Sequence, residues 1–175
     1  LTLGKVGVGS CRLITKLPEI PLECQNIKEW IKSQLAGSIQ RLGVSRLDAV
    51  LLHRPLQLLE DNGSLIWEAL QLEKDRGLIG KIGFSIYSPS ELDYLVGDYP
   101  PDLIQAPFNA FDKRLETSGW LQKLSEKNIE VHVRSVFLQG ILLEPLELLP
   151  EYFKRWKFLL LNWNRWLSET NTHPI

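Results

Sequence analysis

Methionine is absent from the 175 residues, and only two cysteines occur. Because the first residue is Leu, we expect the chain to begin downstream of a translation start. Cys11 and Cys24 form no CxxC motif and have no histidine cluster beside them, so the sequence offers neither a zinc framework nor a disulfide scaffold. We interpret both as free thiols of a cytoplasmic protein, because the cytoplasm is a reducing compartment.

A strong charge of either sign is also missing. The formal net charge of −1 gives no electrostatic argument for nucleic acid or an anionic membrane as a partner. Apolar runs are interrupted by Glu, Pro or Asn, so none is long enough to span a bilayer. With 44% hydrophobic and 23% charged residues, the composition is that of an ordinary globular protein. We expect a single domain over residues 1–175.

Five short runs of apolar, often branched residues recur along the chain, and each is followed by a helical pattern. The runs are nearly continuous in hydrophobicity, which is typical of parallel strands covered on both faces. The sequence therefore predicts an α/β fold with a parallel sheet, but periodicity leaves open part of a (β/α)8 barrel or a doubly wound sheet. The five predicted strands are residues 12–15, 49–52, 81–84, 103–106 and 129–133.

The helices between these strands have recognisable boundaries. Apolar residues at three- and four-residue steps predict a helix from Asn26, and Gly43 is the left-handed residue that ends it. Further helices are predicted over residues 64–77 and 119–127, with a short one from Ser90. The amphipathic stretch from Pro150 predicts a C-terminal helix, which we interpret as an outer layer packed on the sheet.

Polar residues recur at one position of each unit, where a predicted strand ends. In parallel α/β folds the carboxyl ends of the strands meet at one edge, and that edge carries the functional residues. In contrast, His132 alternates with apolar neighbours, so we expect it to face the helices. No Ser-His-Asp pattern or metal-ligand spacing occurs. The polar residues at the predicted edge are Lys16, His53, Ser85, Gln105, Asn109, Arg134 and Ser135.

Five segments around these positions together resemble the aldo-keto reductase family, in the family's order and spacing. They are LITKL (13–17), LDAVLLHRP (47–55), WEALQLEKDRGLIGKIGFSIYS (67–88), DLIQAPFNAFD (102–112) and VHVRSVFLQGILL (131–143). The resemblance implies a partial (β/α)8 barrel that contains about strands three to seven of the family fold, followed by a C-terminal helix. It also implies that strands one, two and eight are absent.

The resemblance further implies a reaction, the transfer of a hydride between NADP(H) and an aldehyde or ketone. Of the family's four catalytic residues, Lys16 matches the lysine and His53 matches the histidine. The tyrosine that donates the proton, and its aspartate, have no match in this sequence. We therefore expect the full-length parent protein to reduce a small, sugar-related carbonyl compound, and the isolated chain to be nearly inactive.

Cofactor contacts are also implied by the resemblance. Ser85 and Gln105 match residues that hydrogen-bond the nicotinamide carboxamide, and Arg134 stands where many members stack an aromatic ring on the nicotinamide. Ser135 and Gln139 fall in the loop beside the pyrophosphate, and Asn109 lies on the substrate side. Because the tyrosine is missing, a non-catalytic nucleotide-binding module, or a regulatory reductase-like subunit, remains an alternative. NADPH is expected rather than NADH.

Overall fold

A computed structural model describes residues 2–173 of the chain. Its five parallel strands form one sheet whose spatial order is the chain order, β1-β2-β3-β4-β5. A doubly wound sheet reverses its strand order at a switch point, whereas this sheet advances in one direction as a barrel does. The strands are β1 (Ile14–Leu17), β2 (Leu47–Leu52), β3 (Ile79–Ser85), β4 (Leu103–Pro107) and β5 (Glu130–Arg134).

Helices connect the strands as predicted, and the main discrepancy lies near the C-terminus. Asn26 caps the longest helix, which ends at Gly43 in the left-handed conformation with φ 71°. The predicted helix from Pro150 begins later, at Lys157, because short 3-10 turns occupy Leu146–Leu148 and Glu151–Trp156. The helices are α1 (Thr2–Val6), α2 (Ile27–Leu42), α3 (Gly63–Asp75), α4 (Leu92–Leu95), α5 (Arg114–Thr117), α6 (Trp120–Glu126) and α7 (Lys157–Glu169).

One face of the sheet packs against the helices and carries the main hydrophobic core. Side chains alternate between the two faces of a strand, so every second strand residue contributes to this core. From the sheet these are Leu17, Val50, Leu52, Ile82, Phe84, Ile104 and Ala106, together with Leu47 and Ile79 at the starts of their strands, all buried. Within residues 2–173, no helix is long and apolar enough to cross a membrane.

The opposite face is concave, as the inner wall of a barrel is. Its side chains reach strands that are not neighbours: Lys16 on β1 contacts Ser85 on β3, and Lys81 on β3 contacts Glu130 on β5. Strands two apart are about 10 Å from each other in a flat sheet, and curvature of the kind found in a barrel shortens the distance that these side chains must span. A small apolar layer of Ala49, Leu51 and Leu103 lies between the ends of this face and is separate from the main core.

His132 corrects a prediction from the sequence. It pairs in register with Gln105 and therefore lies on the concave face, not against the helices. Its Nε2 is 2.6 Å from a carboxylate oxygen of Glu130 on the same strand. The alternation of Glu130, His132 and Arg134 with two valines was the signal, because the polar member of an alternating pattern lies away from the apolar core.

Candidate active site at the carboxyl ends of the strands

Lys16 is held at the carboxyl end of β1 by a neutral partner. Its Nζ donates a hydrogen bond to Oγ of Ser85, at 3.0 Å, across the end of β2. Ser85 is the last residue of β3 and is buried. Partial burial, and secondarily the positive charge of Arg134, lower the pKa of the Lys16 ammonium below its ordinary value. Both causes disfavour a proton on Lys16.

Ser85 and Gln105 form a side-by-side polar pair. They are register partners on the adjacent strands β3 and β4, so their side chains lie on the same face. Gln105 is half-buried. A hydroxyl beside a carboxamide offers both donors and an acceptor within one small area. This pair can therefore bind a planar amide, which itself needs one donor and one acceptor.

Arg134 reaches from the end of β5 across β4 to the segment that follows β3. Its Nη2 donates to the backbone oxygen of Ile86 at 3.0 Å, and the guanidinium carbon lies 4.5 Å from the ring centroid of Tyr87. Its Nε is buried and has no hydrogen-bond partner within the described residues. We call Lys16, Ser85, Gln105 and Arg134 the carboxyl-end cluster.

His53 follows β2 at the same edge of the sheet. Its backbone N–H donates to the oxygen of Leu17 at 3.0 Å, which continues the pairing of β2 with β1 beyond the last strand residues. The side chain is exposed. The structure thus brings His53 to the edge where Lys16 lies, on the neighbouring strand.

Asn109 is buried and its side chain joins two loops. Its Oδ1 accepts hydrogen bonds from the backbone N–H groups of Phe111 and Asp112, both at 2.9 Å. Its Nδ2 donates to the oxygen of Ser135 at 3.2 Å. These contacts support a positioning role, in which Asn109 fixes the loop after β4 to the loop after β5. Substrate contact by Asn109 stays a prediction.

Ser135 and Gln139 lie in the loop after β5, which begins directly after Arg134 of the carboxyl-end cluster. Both have a left-handed backbone, with φ of 59° and 57°. They line an apolar cavity of about 480 Å³ together with Phe111 and side chains of α7 and the turn before it. None of the carboxyl-end cluster lines this cavity. A role for these two residues in holding a cofactor stays a prediction.

Sequence reasoning missed the part played by Tyr87. The structure places its ring beneath the guanidinium of Arg134. The available signal was its position two residues beyond Ser85, at the edge where the carboxyl ends of the strands meet.

Among residues 2–173, no group of three or more His, Cys, Asp or Glu side chains is placed to hold a metal ion.

A singly wound parallel sheet, concave on one face and polar at the carboxyl ends of its strands, defines a protein of the (β/α)8 barrel class. The model of the aldo/keto reductase family matches residues 8–162, and the chain therefore belongs to this family. The partial barrel predicted from the sequence is confirmed. No curated protein matches the chain in sequence.

Solved structures of the family share the fold. The aldo-keto reductase of Bacillus halodurans in its apo form is 25% identical, with 85% of this chain and 48% of that one covered and a TM-score of 0.68. The glycerol dehydrogenase of Gluconobacter oxydans is 19% identical, with 98% and 60% covered and a TM-score of 0.70. The silkworm, Bombyx mori, reductase is 20% identical, with 70% and 38% covered and a TM-score of 0.53. The chain thus spans about half the length of the structures it matches.

Proposed function

We propose that this chain is the central part of an oxidoreductase that transfers a hydride between NADP(H) and an aldehyde or ketone. The observation that carries the proposal is the contact between Lys16 and Ser85 beside Gln105, at the carboxyl ends of the strands. Membership of the aldo/keto reductase family supports it. In the proposal the chain is one incomplete barrel domain over residues 1–175, which lacks the first, second and eighth strands of a complete barrel.

The residues present fit a nicotinamide. The hydroxyl of Ser85 and the amide of Gln105 match the carboxamide, and the buried Nε of Arg134, which has no partner among the described residues, can donate a hydrogen bond to a polar ligand atom. When bound, the cofactor supplies the hydride. We propose NADPH rather than NADH on the resemblance alone, with Ser135 and Gln139 beside the pyrophosphate.

The roles of the other residues follow from their charge and position. Lys16 places a positive charge where a carbonyl oxygen would become negative, which stabilises that charge. His53 donates a hydrogen bond to the same oxygen and orients the substrate. Proton donation is assigned to a tyrosine outside this sequence, so we expect the 175-residue chain alone to oxidise NADPH very slowly with any aldehyde.

The proposal extends to the substrate class and to the location of the protein. We propose a sugar-related carbonyl compound as the substrate, and this part of the proposal rests on the sequence resemblance alone. A cytoplasmic location is supported by the two cysteines, Cys11 and Cys24, which are both unpaired in the structure.

Binding of NADPH to the 175-residue chain, followed by the change in nicotinamide fluorescence, tests the cofactor site. We expect binding, and we expect Ser85→Ala to weaken it about fivefold, because one hydrogen bond to the ligand is lost. The matched control is Ser33→Ala, since Ser33 is exposed on α2 and far from the cluster in the fold. A chain that does not bind NADPH would contradict the proposal.

Turnover tests the missing proton donor. NADPH oxidation with a simple aldehyde, at a rate near that of a complete homologous barrel, would show that the chain contains its own proton donor. It would refute the assignment of proton donation to a tyrosine outside this sequence. The alternative, a regulatory nucleotide-binding module, also predicts binding without turnover. The coding sequence upstream separates the two, because a DxxxxY motif there supports the reductase and its absence supports the module.

A further inference from the structure

Two cations flank Ser85 at the carboxyl ends of the strands. The Lys16 ammonium binds the Ser85 hydroxyl, and the Arg134 guanidinium binds the carbonyl of the next residue, Ile86. Because their anchors are consecutive residues, the two cations lie close together. Burial, and then the charge of Arg134, lower the pKa of Lys16. No ion pair in the described part of the chain includes either residue.

The position of the Arg134 charge is fixed from two directions. Its Nη2 is anchored on a backbone oxygen, and one face of its plane lies over Tyr87. The guanidinium thus lies over the end of β4, next to the pair formed by Ser85 and Gln105. A planar cation with one covered face can stack a second planar group on its other face.

We propose that Arg134 makes this site distinguish the redox state of the nicotinamide, so that the reduced cofactor binds more tightly than the oxidised one. The inference rests on the proposed function, which places the carboxamide at Ser85 and Gln105. The dihydronicotinamide ring is neutral, whereas the oxidised ring carries one positive charge. A fixed guanidinium beside the ring repels only the oxidised form. The remainder of the cofactor is identical in both forms and contributes equally to their binding.

Such discrimination favours carbonyl reduction over alcohol oxidation. An oxidised cofactor that is bound less tightly dissociates sooner, and a reduced cofactor replaces it. A purely structural Arg134 predicts something different. If the guanidinium only tethers the segment after β3 through Ile86, removing it would weaken the binding of both forms to the same extent.

The experiment is the ratio of two dissociation constants, for NADP⁺ and for NADPH, in the wild-type chain and two variants. Arg134→Gln removes the charge and keeps a planar donor, while Arg134→Lys keeps the charge and removes the plane. We expect the ratio to fall about tenfold in the Gln variant, because the repulsion between two unit charges near a protein surface is lost. It should stay near the wild-type value in the Lys variant. NAD⁺ and NADH should give the same change, since the rings are the same.

The outcomes separate the two proposals. An unchanged ratio in Arg134→Gln, with both forms still bound, overturns the inference and leaves the proposed function standing. Absence of binding by both forms to the wild-type chain overturns both. Arg165→Gln is the matched control for loss of one positive charge, because Arg165 is exposed on α7. A similar fall in this control would show a nonspecific charge effect and would also overturn the inference.

Discussion

The two ends of the concave face carry similar charged residues in opposite states of pairing. At the amino ends of the strands, Glu130 binds both Lys81 and His132, and Arg12 lies 3.7 Å from the same carboxylate. We call these four residues the amino-end cluster. At the other end, the carboxyl-end cluster has two cations and no carboxylate.

This difference separates what stabilises the fold from what the fold presents to a ligand. The amino-end cluster links the first and last strands of the sheet, because Arg12 lies two residues before the start of β1 and Glu130 begins β5. Paired charges of this kind contribute to stability, whereas neighbouring cations repel and cost stability. An arrangement that is unfavourable for the chain alone is typical of sites that a ligand completes. The apolar layer of Ala49, Leu51 and Leu103 lies between the two clusters on β2 and β4. On β5, His132 is the register partner of Gln105, so the two clusters adjoin there.

The largest expected effect comes from the middle of the face, where Gly83 lies between Leu51 and Leu103. A Cβ atom at Gly83 would lie 2.3 Å from the backbone oxygen of Leu103 and 2.8 Å from a methyl carbon of Leu51. Since a backbone oxygen cannot move aside as a flexible side chain can, we expect Gly83→Ala to lower the free energy of unfolding by about 3 kcal/mol. Urea denaturation measures this change.

Gly97→Ala is the control for Gly83→Ala. No atom lies within 4 Å of a Cβ placed at Gly97, so the same substitution there should change stability by less than about 0.5 kcal/mol. Equal effects at the two glycines would show that the middle of the concave face is not closely packed.

The strands could be predicted from the sequence because each is a short apolar run, and the polar edge because parallel strands all end on the same side. Lys16, Ser85 and Gln105 were found in this way. Strand order could not be read from periodicity, which is the same in a barrel and in a doubly wound sheet. The late start of α7 was missed because an amphipathic pattern does not distinguish the 3-10 turns of Glu151–Trp156 from an α-helix.

Contacts between strands that are not neighbours lay beyond sequence reasoning. The stacking of Arg134 on Tyr87 depends on how far the sheet curves, and no local pattern encodes that curvature. The same holds for the ion pair of Lys81 with Glu130, whose residues are 49 positions apart. The orientation of His132 was within reach, since its strand alternates between polar and apolar residues.

Glu130→Gln tests the stabilising end of the comparison and should have the second-largest effect. It leaves Lys81 and His132 without their shared carboxylate. These side chains are 28% to 44% exposed, so solvent screens the loss, and we expect a decrease of about 1 kcal/mol in unfolding free energy. Glu151→Gln removes a more exposed pair with Lys154 and should have almost no effect. A loss at Glu130 no greater than at Glu151 would contradict the role of Glu130 in linking the strands.

The same carboxylate predicts a pH dependence of stability. Hydrogen bonds from Lys81, and then from His132, lower the pKa of Glu130 to about 2. A carboxyl whose pKa is lower in the folded state contributes stability above its unfolded pKa, 4.5, and this contribution is lost as the pH falls towards 2. We therefore expect the difference in urea midpoint between wild type and Glu130→Gln to shrink between these pH values. A difference that is constant over this range would argue against the shift.

The smallest effect tests whether the two cations of the carboxyl-end cluster influence each other. Burial is the larger cause of the lowered pKa of Lys16 and the charge of Arg134 is the smaller. Arg134→Gln should therefore raise the pKa of Lys16 without restoring the ordinary value of 10.5. The carbon-13 shift of the lysine side chain, followed against pH by NMR, reports this change. Arg165→Gln should not alter the pKa of Lys16.

Glu130 should titrate unchanged in Arg134→Gln. It lies about four strand residues, or some 13 Å, from Arg134, and solvent ions screen charges at that distance. If Glu130 moved with Lys16, the two ends of the face would be electrostatically coupled and could not be assigned separate roles.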